Sequence, residues 1–258
     1  YFNKTGEAIP QHDTTFRAEE SFIVSFFGRV NYSFDSRYLF TFSLRADGSS
    51  KFAKDNRWGY FPSAAFAWNA KNESFLADVD AVSALKLRLS YGETGQQEIG
   101  NYMYLAGYSE STDNYNMAYM GSNGYYYYYT PKAYDPNIKW ETTVTYNIGV
   151  DFGFLDGMIN GSIGVYRRDT KDLLSSVITP LGANFGDTIM TNIGTMRNQG
   201  VEFSLDFNPV RTQDWSLRFG FNGTFQDTEF VQLDNNTGSS DYAIYMGGPS
   251  RGTGGAGM

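Results

Sequence analysis

The stretch FIVSFFGRVNYSFDSRYLFTFSLRAD, from Phe22 to Asp47, decides the architecture. Read with period two, Phe22, Val24, Phe26, Gly28, Val30, Tyr32 and Phe34 fall on one face. Ile23, Ser25, Phe27, Arg29, Asn31 and Ser33 fall on the other. Successive side chains of a strand point to opposite sides, so this is a β-strand with one apolar and one polar face. Asp35-Ser36 are turn formers and supply a two-residue turn. After it Tyr38, Phe40, Phe42 and Leu44 alternate with Leu39, Thr41, Ser43, Arg45 and Asp47. Each run reaches the roughly 9–11 residues with which a tilted strand crosses a bilayer. Strands of a soluble sandwich usually run about 5–6.

The alternation recurs along the chain. It is weaker from Tyr60 to Trp68 and clear from Leu85 to Tyr91, Thr143 to Phe154, Ile159 to Tyr166, Val201 to Asn208 and Trp215 to Phe225. About eight strands, paired as hairpins, are expected. The connections alternate in length. Asp35-Ser36, Leu155 to Met158 and Asn208 to Asp214 are short, and Asn69 to Ala84 has room for a helical turn. Gly48 to Gly59, Gly92 to Trp140, Asp169 to Gly200 and everything after Gln226 are long and polar. Outer-membrane barrels have short periplasmic turns and long extracellular loops. Aromatics beside the short turns (Tyr32, Phe34, Tyr38, Phe152, Phe154, Phe207, Trp215) suit the membrane interface. The expected fold is therefore all-β, an antiparallel transmembrane β-barrel. Phe26, Val30, Phe42, Leu87, Val150, Phe203 and Phe219 should face outer-membrane lipid. Arg29, Arg45, Lys86, Arg88, Asn147, Glu202 and Arg218 should face the lumen.

Eight strands can close a small barrel. An even number of strands, however, leaves both chain ends on the loop side, whereas a complete bacterial barrel should start and finish in the periplasm. Residues 1–258 are therefore expected to be one internal part of a larger barrel domain, with any plug and the remaining strands elsewhere.

Composition narrows the function. Of the 258 residues, 20 are Tyr and 21 Phe, yet mean hydropathy is −0.42, as a wall between lipid and water requires. The net charge of −8 argues against nucleic acid, which wants a basic stripe. No cysteine is present, so thiolate metal sites and disulfides are excluded. No apolar run is long enough for a membrane-spanning helix.

Catalytic readings fail. The one histidine, His12, lies in polar sequence without a Gly-x-Ser-x-Gly elbow. No spacing selects a carboxylate pair. The glycines at 247, 248, 252, 254 and 255 lack the Lys-Ser/Thr of a phosphate loop. No enzyme activity, cofactor or metal is expected; loop carboxylates such as Asp113 and Asp135 have no EF-hand spacing. The better candidates are aromatic. Tyr125, Tyr126, Tyr127, Tyr128 and Tyr129 are consecutive, flanked by Tyr115, Tyr119 and Tyr134. Rings with a polar tip suit surfaces that are partly dry and partly wet. They could meet cargo, meet a partner protein or pack the loop on itself. Asp47-Gly48-Ser49-Ser50 reads as the start of a loop. Arg45, Lys86, Arg88 and Arg218 could tune selectivity or pair with carboxylates of a plug.

Several blocks, in order, carry a resemblance. They are Arg37-Tyr38-Leu39, Arg45-Ala46-Asp47-Gly48-Ser49-Ser50-Lys51-Phe52, Arg57-Trp58-Gly59-Tyr60-Phe61-Pro62-Ser63, Trp68 and Glu73-Ser74-Phe75. Further on come Leu85 to Gly95, Lys139-Trp140-Glu141-Thr142-Thr143, Tyr166, Thr170-Lys171-Asp172-Leu173-Leu174, Asn192-Ile193-Gly194 and Asn198-Gln199-Gly200-Val201-Glu202. Together they resemble the SusC/RagA-type TonB-dependent transporters of Bacteroidetes. The resemblance implies a 22-stranded barrel with a plug, energised by TonB, under a SusD-type surface lipoprotein lid, importing oligosaccharides or peptides. A passive porin and a surface carbohydrate-binding or adhesin module are the competing readings.

Overall fold

The computed structural model describes residues 19–110, 118–119, 125–126, 129–178 and 188–232. In chain order the strands are β1 Ile23–Phe34, β2 Tyr38–Ser49, β3 Trp58–Asn69, β4 Val82–Gln96, β5 Tyr108–Glu110, β6 Ala118–Tyr119, β7 Tyr125–Tyr126 and β8 Tyr129–Pro131. They continue with β9 Glu141–Phe154, β10 Ile159–Lys171, β11 Leu174–Ile178, β12 Thr188–Asn192, β13 Thr195–Arg211 and β14 Ser216–Gln232. One helical turn, α1, covers Ser74–Ala77. Eight strands form one antiparallel sheet in the order β1-β2-β3-β4-β9-β10-β13-β14. The short strands pair off as β5 with β8, β6 with β7 and β11 with β12.

Register carries Val30 through Phe42, Ala64, Tyr91, Tyr146, Arg167 and Gln199 to Asp227. That row starts inside the apolar band and ends on a charge. The apolar side chains of β1, Val24 to Phe34, centre on position 29, which the register places opposite Thr228. Those of β14, Leu217 to Phe225, centre instead on Phe221. The band slips about seven residues, or ~23 Å, while crossing about 34 Å of sheet. Strands inclined by roughly 35° to the membrane normal produce that slip, close to the tilt of outer-membrane barrels. The side chains of the band are exposed, Phe26 at 64% and Val30 at 66%. A continuous exposed apolar band of this kind marks a membrane or interaction surface.

Several strands outrun the sequence expectation. β3 starts at Trp58, β4 runs from Val82 to Gln96, β10 reaches Lys171, β13 spans Thr195 to Arg211 and β14 reaches Gln232. Beyond the apolar band both faces are wet. The hydrophobic period then stops while the backbone ladder continues. The expected long loops shrink accordingly, and 172–194 holds the β11–β12 hairpin. The connection expected at Asn208 to Asp214 is 212–215, because the ladder resumes past a bulge between Phe207 and Val210. The Asp35-Ser36 turn holds three residues: Phe34 pairs with Tyr38, and the Arg37 N–H donates to the Phe34 carbonyl at 3.0 Å. Asp35 and Ser36 both have positive φ, the hand that matches strand twist.

One ladder is incomplete. β3 pairs with β4 only from Ser63 to Asn69, stopping one residue short of Pro62. Proline has no N–H to donate, so it ends the pairing there. Toward the loops β3 and β4 run without paired backbone, and side chains fill the seam.

Candidate functional site

All seven residues expected to face the lumen share the polar face of the sheet. Three hold carboxylates of the wall itself: Arg45 with Asp47 at 2.7 Å, Arg88 with Asp151 at 2.7 Å and Arg218 with Asp206 at 2.8 Å. Arg29 lies over the Phe27 ring, 5.6 Å from its centroid. Arg88, Asn147, Ser162, Glu202, Ser204 and Asn222 line a groove of about 380 Å³ on this face. Its lining can donate and accept hydrogen bonds, and the Ser162 and Ser204 hydroxyls bond each other at 2.8 Å. The seven set opposite, Phe26, Val30, Phe42, Leu87, Val150, Phe203 and Phe219, share the apolar face.

The buried apolar cluster among the described residues sits at the loop end of the sheet. Phe52, Phe61, Ile99, Ile138 and Trp140 form it, with Met103, Tyr104, Leu174 and Met190 packed around. The Trp140 ring lies 5.2 Å from Phe52 and 5.5 Å, edge-on, from Phe61. Its indole N–H donates to the Arg57 carbonyl at 3.0 Å. Phe61 lies flat over two glycines: a Cβ at Gly59 would come within 2.4 Å of the ring, and one at Gly95 within 2.0 Å. This knot fills the seam left by Pro62. Asn192 straps the outer loops to it, its amide donating to the carbonyls of Lys139 at 2.9 Å and Asp172 at 2.8 Å. Asp135, weighed as a calcium ligand, spends both oxygens locally, accepting from the Asn137 N–H at 2.8 Å and the Thr191 hydroxyl at 2.6 Å. Asp113 and His12 lie outside the described residues.

At the turn end Glu73 is the hub. Its carboxylate accepts from the Tyr38 hydroxyl at 2.7 Å, the Arg37 guanidinium at 2.9 Å and the Trp68 indole at 3.0 Å. Asn69 and Asn72 each donate to the Ser36 carbonyl at 2.9 Å. The β3–β4 connection is thereby stapled onto the β1–β2 turn. The bonds from Tyr38 and Trp68, then Arg37, hold the Glu73 carboxyl below its ordinary value of 4.5. A carboxylate depressed in the folded state stabilises fully above its ordinary value and loses that effect as pH falls through the folded one. The staple should therefore survive at pH 5 and open on further acidification. Hydrogen exchange of the Ser36–Tyr38 amides against pH checks this. A Glu73→Gln variant should show the open behaviour at neutral pH; exchange with no pH response would sink the reading.

The tyrosines divide. Tyr119 pairs with Tyr125 across β6–β7, with Tyr126 next to them in β7, and Tyr129 lies in β8 opposite Glu110. Tyr134 is exposed. Tyr115, Tyr127 and Tyr128 lie outside the described residues. In chain order the β6–β7 pair falls between β5 and β8, along a tyrosine-rich arm of the sequence.

A family model described as TonB dependent receptor-like, beta-barrel, matches residues 1–251. The chain belongs to the TonB-dependent receptor β-barrels. It is 46% identical over 242 residues to the TonB-dependent receptor SusC of Bacteroides thetaiotaomicron, covering 92% of this chain and 24% of SusC. It is 36% identical over 233 residues to TonB-dependent receptor P3 of Formosa agariphila, covering 90% of this chain and 23% of that receptor. The RagAB peptide importer in its closed-closed state superposes with a TM-score of 0.72 at 30% identity, over 83% of this chain and 23% of that one. The chain thus spans about a quarter of the length of the curated relatives it matches. It is an outer-membrane protein and part of a larger barrel.

Within this receptor segment the quoted motif blocks have structural work. Phe52, Phe61 and Trp140 build the loop-end knot, and Gly59 and Gly95 make room for it. Arg37, Tyr38, Trp68 and Glu73 build the turn-end staple. Neither convergence was read from the sequence. A lone glutamate five residues after a tryptophan and aromatics inside polar loops were the available signals.

Proposed function

We propose that this segment is wall and loop of an active importer of large nutrients, oligosaccharides or peptides, with its polar face lining the passage. What carries the reading is 46% identity to SusC along nearly the whole segment. The superposition on the RagAB peptide importer supports it. The short turns then lie in the periplasm and the knotted loops outside the cell. The lumen-facing set is Arg29, Arg45, Lys86, Arg88, Asn147, Glu202 and Arg218. Wall ion pairs keep the Arg45, Arg88 and Arg218 guanidiniums oriented in a wet passage, where such charges tune selectivity. TonB acts through a plug outside this segment, and a SusD-type lipoprotein sits over the mouth.

The tyrosine arm reaches toward that mouth and meets cargo or lid. Connections this long are functional or disordered, and disordered segments are poor in aromatics. Changing Tyr125, Tyr127 and Tyr129 together to alanine in the full-length protein should leave assembly intact, since no strand of the wall is touched. Uptake of cargo or co-purification of the lid should fall, each aromatic contact contributing about 0.5–1.5 kcal/mol beyond its area. If both are unchanged, the tyrosines serve only the arm's own packing.

A further inference from the structure

Phe27 departs from the pattern of its face. Its ring is 64% exposed on the polar side of β1, where the neighbouring side chains are Ser25, Arg29 and Asn31. It borders a hollow of about 500 Å³ at the loop end of the polar face, within the size range of small-ligand sites.

Register explains the hollow. Phe27, Arg45 and Phe61 share one row across β1, β2 and β3. Arg45 leans toward the loops, its Nε donating to both oxygens of Asp47 at 2.9 and 2.7 Å. Phe61 leans the same way, over Gly59 and Gly95. The next row toward the turns is Ser43, Ser63 and Gly92, all small. The two large side chains thus withdraw from a floor of two hydroxyls, 2.6 Å apart, and one bare glycine. Thr94 and Trp140 line the side nearer the loops.

Asp47 is buried, and Arg45, half exposed, balances its charge. The pair is neutral as a unit. With Nε engaged, the guanidinium plane is fixed and its terminal nitrogens remain as a fork of donors. The lining therefore combines an apolar ring, a donor fork and hydroxyls that both donate and accept. A sugar ring matches that set. Its C–H face is apolar, and its edge carries neighbouring hydroxyls that accept from a fork and donate to oxygen. A peptide carboxylate would reach the fork with Asp47 directly behind it, and the two negative charges repel.

We propose that the hollow seats one neutral sugar residue of the cargo, stacked on Phe27 and held at its edge by Arg45 and the Ser43–Ser63 pair. The seat presupposes the import reading above and gives it a specific place on the wall. Arg45, Asp47, Phe61 and Ser63 belong to the sequence blocks that carry the family resemblance, and Phe27 does not. Phe27 is the member of the seat free to set specificity.

The full-length receptor, purified in detergent, is titrated calorimetrically with neutral hexasaccharides of α-glucan, β-glucan, fructan and xylan, and with a set of hexapeptides. Wild type should bind at least one saccharide. Phe27→Ala should weaken that binding about 2- to 12-fold, the range of one aromatic contact. Phe27→Tyr keeps the ring and should retain wild-type affinity, whereas Phe27→Leu, apolar without a ring, should not. Resistance to heat unfolding on gels confirms that each variant is an intact barrel. Saccharide binding that intact Phe27→Ala leaves unchanged overturns the seat and leaves import standing. Binding of peptides alone overturns the sugar assignment. Failure of wild type to bind or import any of these probes overturns the import reading, and the seat with it.

Discussion

Truncating Trp140 to alanine is expected to cost about 3–5 kcal/mol of local stability at the mouth of the barrel. The ring is buried, touches both Phe52 and Phe61, and carries the bond to the Arg57 carbonyl. Its removal leaves a cavity where β3 and β4 have no ladder to hold them. The loss should appear as faster hydrogen exchange and protease nicking at residues 50–57 and in the loop half of β4. The turn end should be unaffected. Trp140→Phe keeps most of the stacking and forfeits one hydrogen bond, about 1 kcal/mol. Unchanged exchange in Trp140→Ala would mean that the loops are held from elsewhere.

Arginine at Val150 is the second large effect, about 2–4 kcal/mol, the cost of a cation in the middle of the apolar band. Val150 lies mid-way along the outward apolar run from Val144 to Phe154, paired with Leu87 and Ile163. Its guanidinium would have no water or carboxylate within reach. Asn222→Arg, on the polar face of β14 opposite Ser204, should stay within about 0.5 kcal/mol. The fraction of heat-resistant barrel in denaturant series reads both. Equal losses at the two positions would overturn the assignment of faces.

The wall was legible because lipid on one side and water on the other impose period two on every residue that crosses. That is why Val150 and Asn147, three residues apart, could be assigned to opposite faces from the chain alone. The same physics hid the strand ends. Past Tyr91 on β4 or Phe225 on β14 both sides are aqueous, and nothing in Glu93 or Thr228 distinguishes ladder from loop. The knot and the staple were hidden for a different reason. Phe52, Phe61 and Trp140 are drawn from three connections or strand ends, and Arg37 meets Glu73 across 36 positions. Each residue alone has an ordinary local reading, and only the register of the sheet brings them together. Among the candidate residues, the polar-face set followed from alternation. The pairing of Tyr119 with Tyr125 did not, since no hydrophobic period marks so short a ladder.

The slip of the apolar band has a consequence for how such proteins can be recombined. A wall that climbs about one residue per strand is a screw thread, and around a closed barrel it would climb about as many residues as there are strands before meeting itself. A segment like this one can therefore be spliced only into a barrel of the same pitch. Loops beyond the band are free of that constraint, but a block of strands cut from a steeper or shallower thread would arrive at its neighbour out of step.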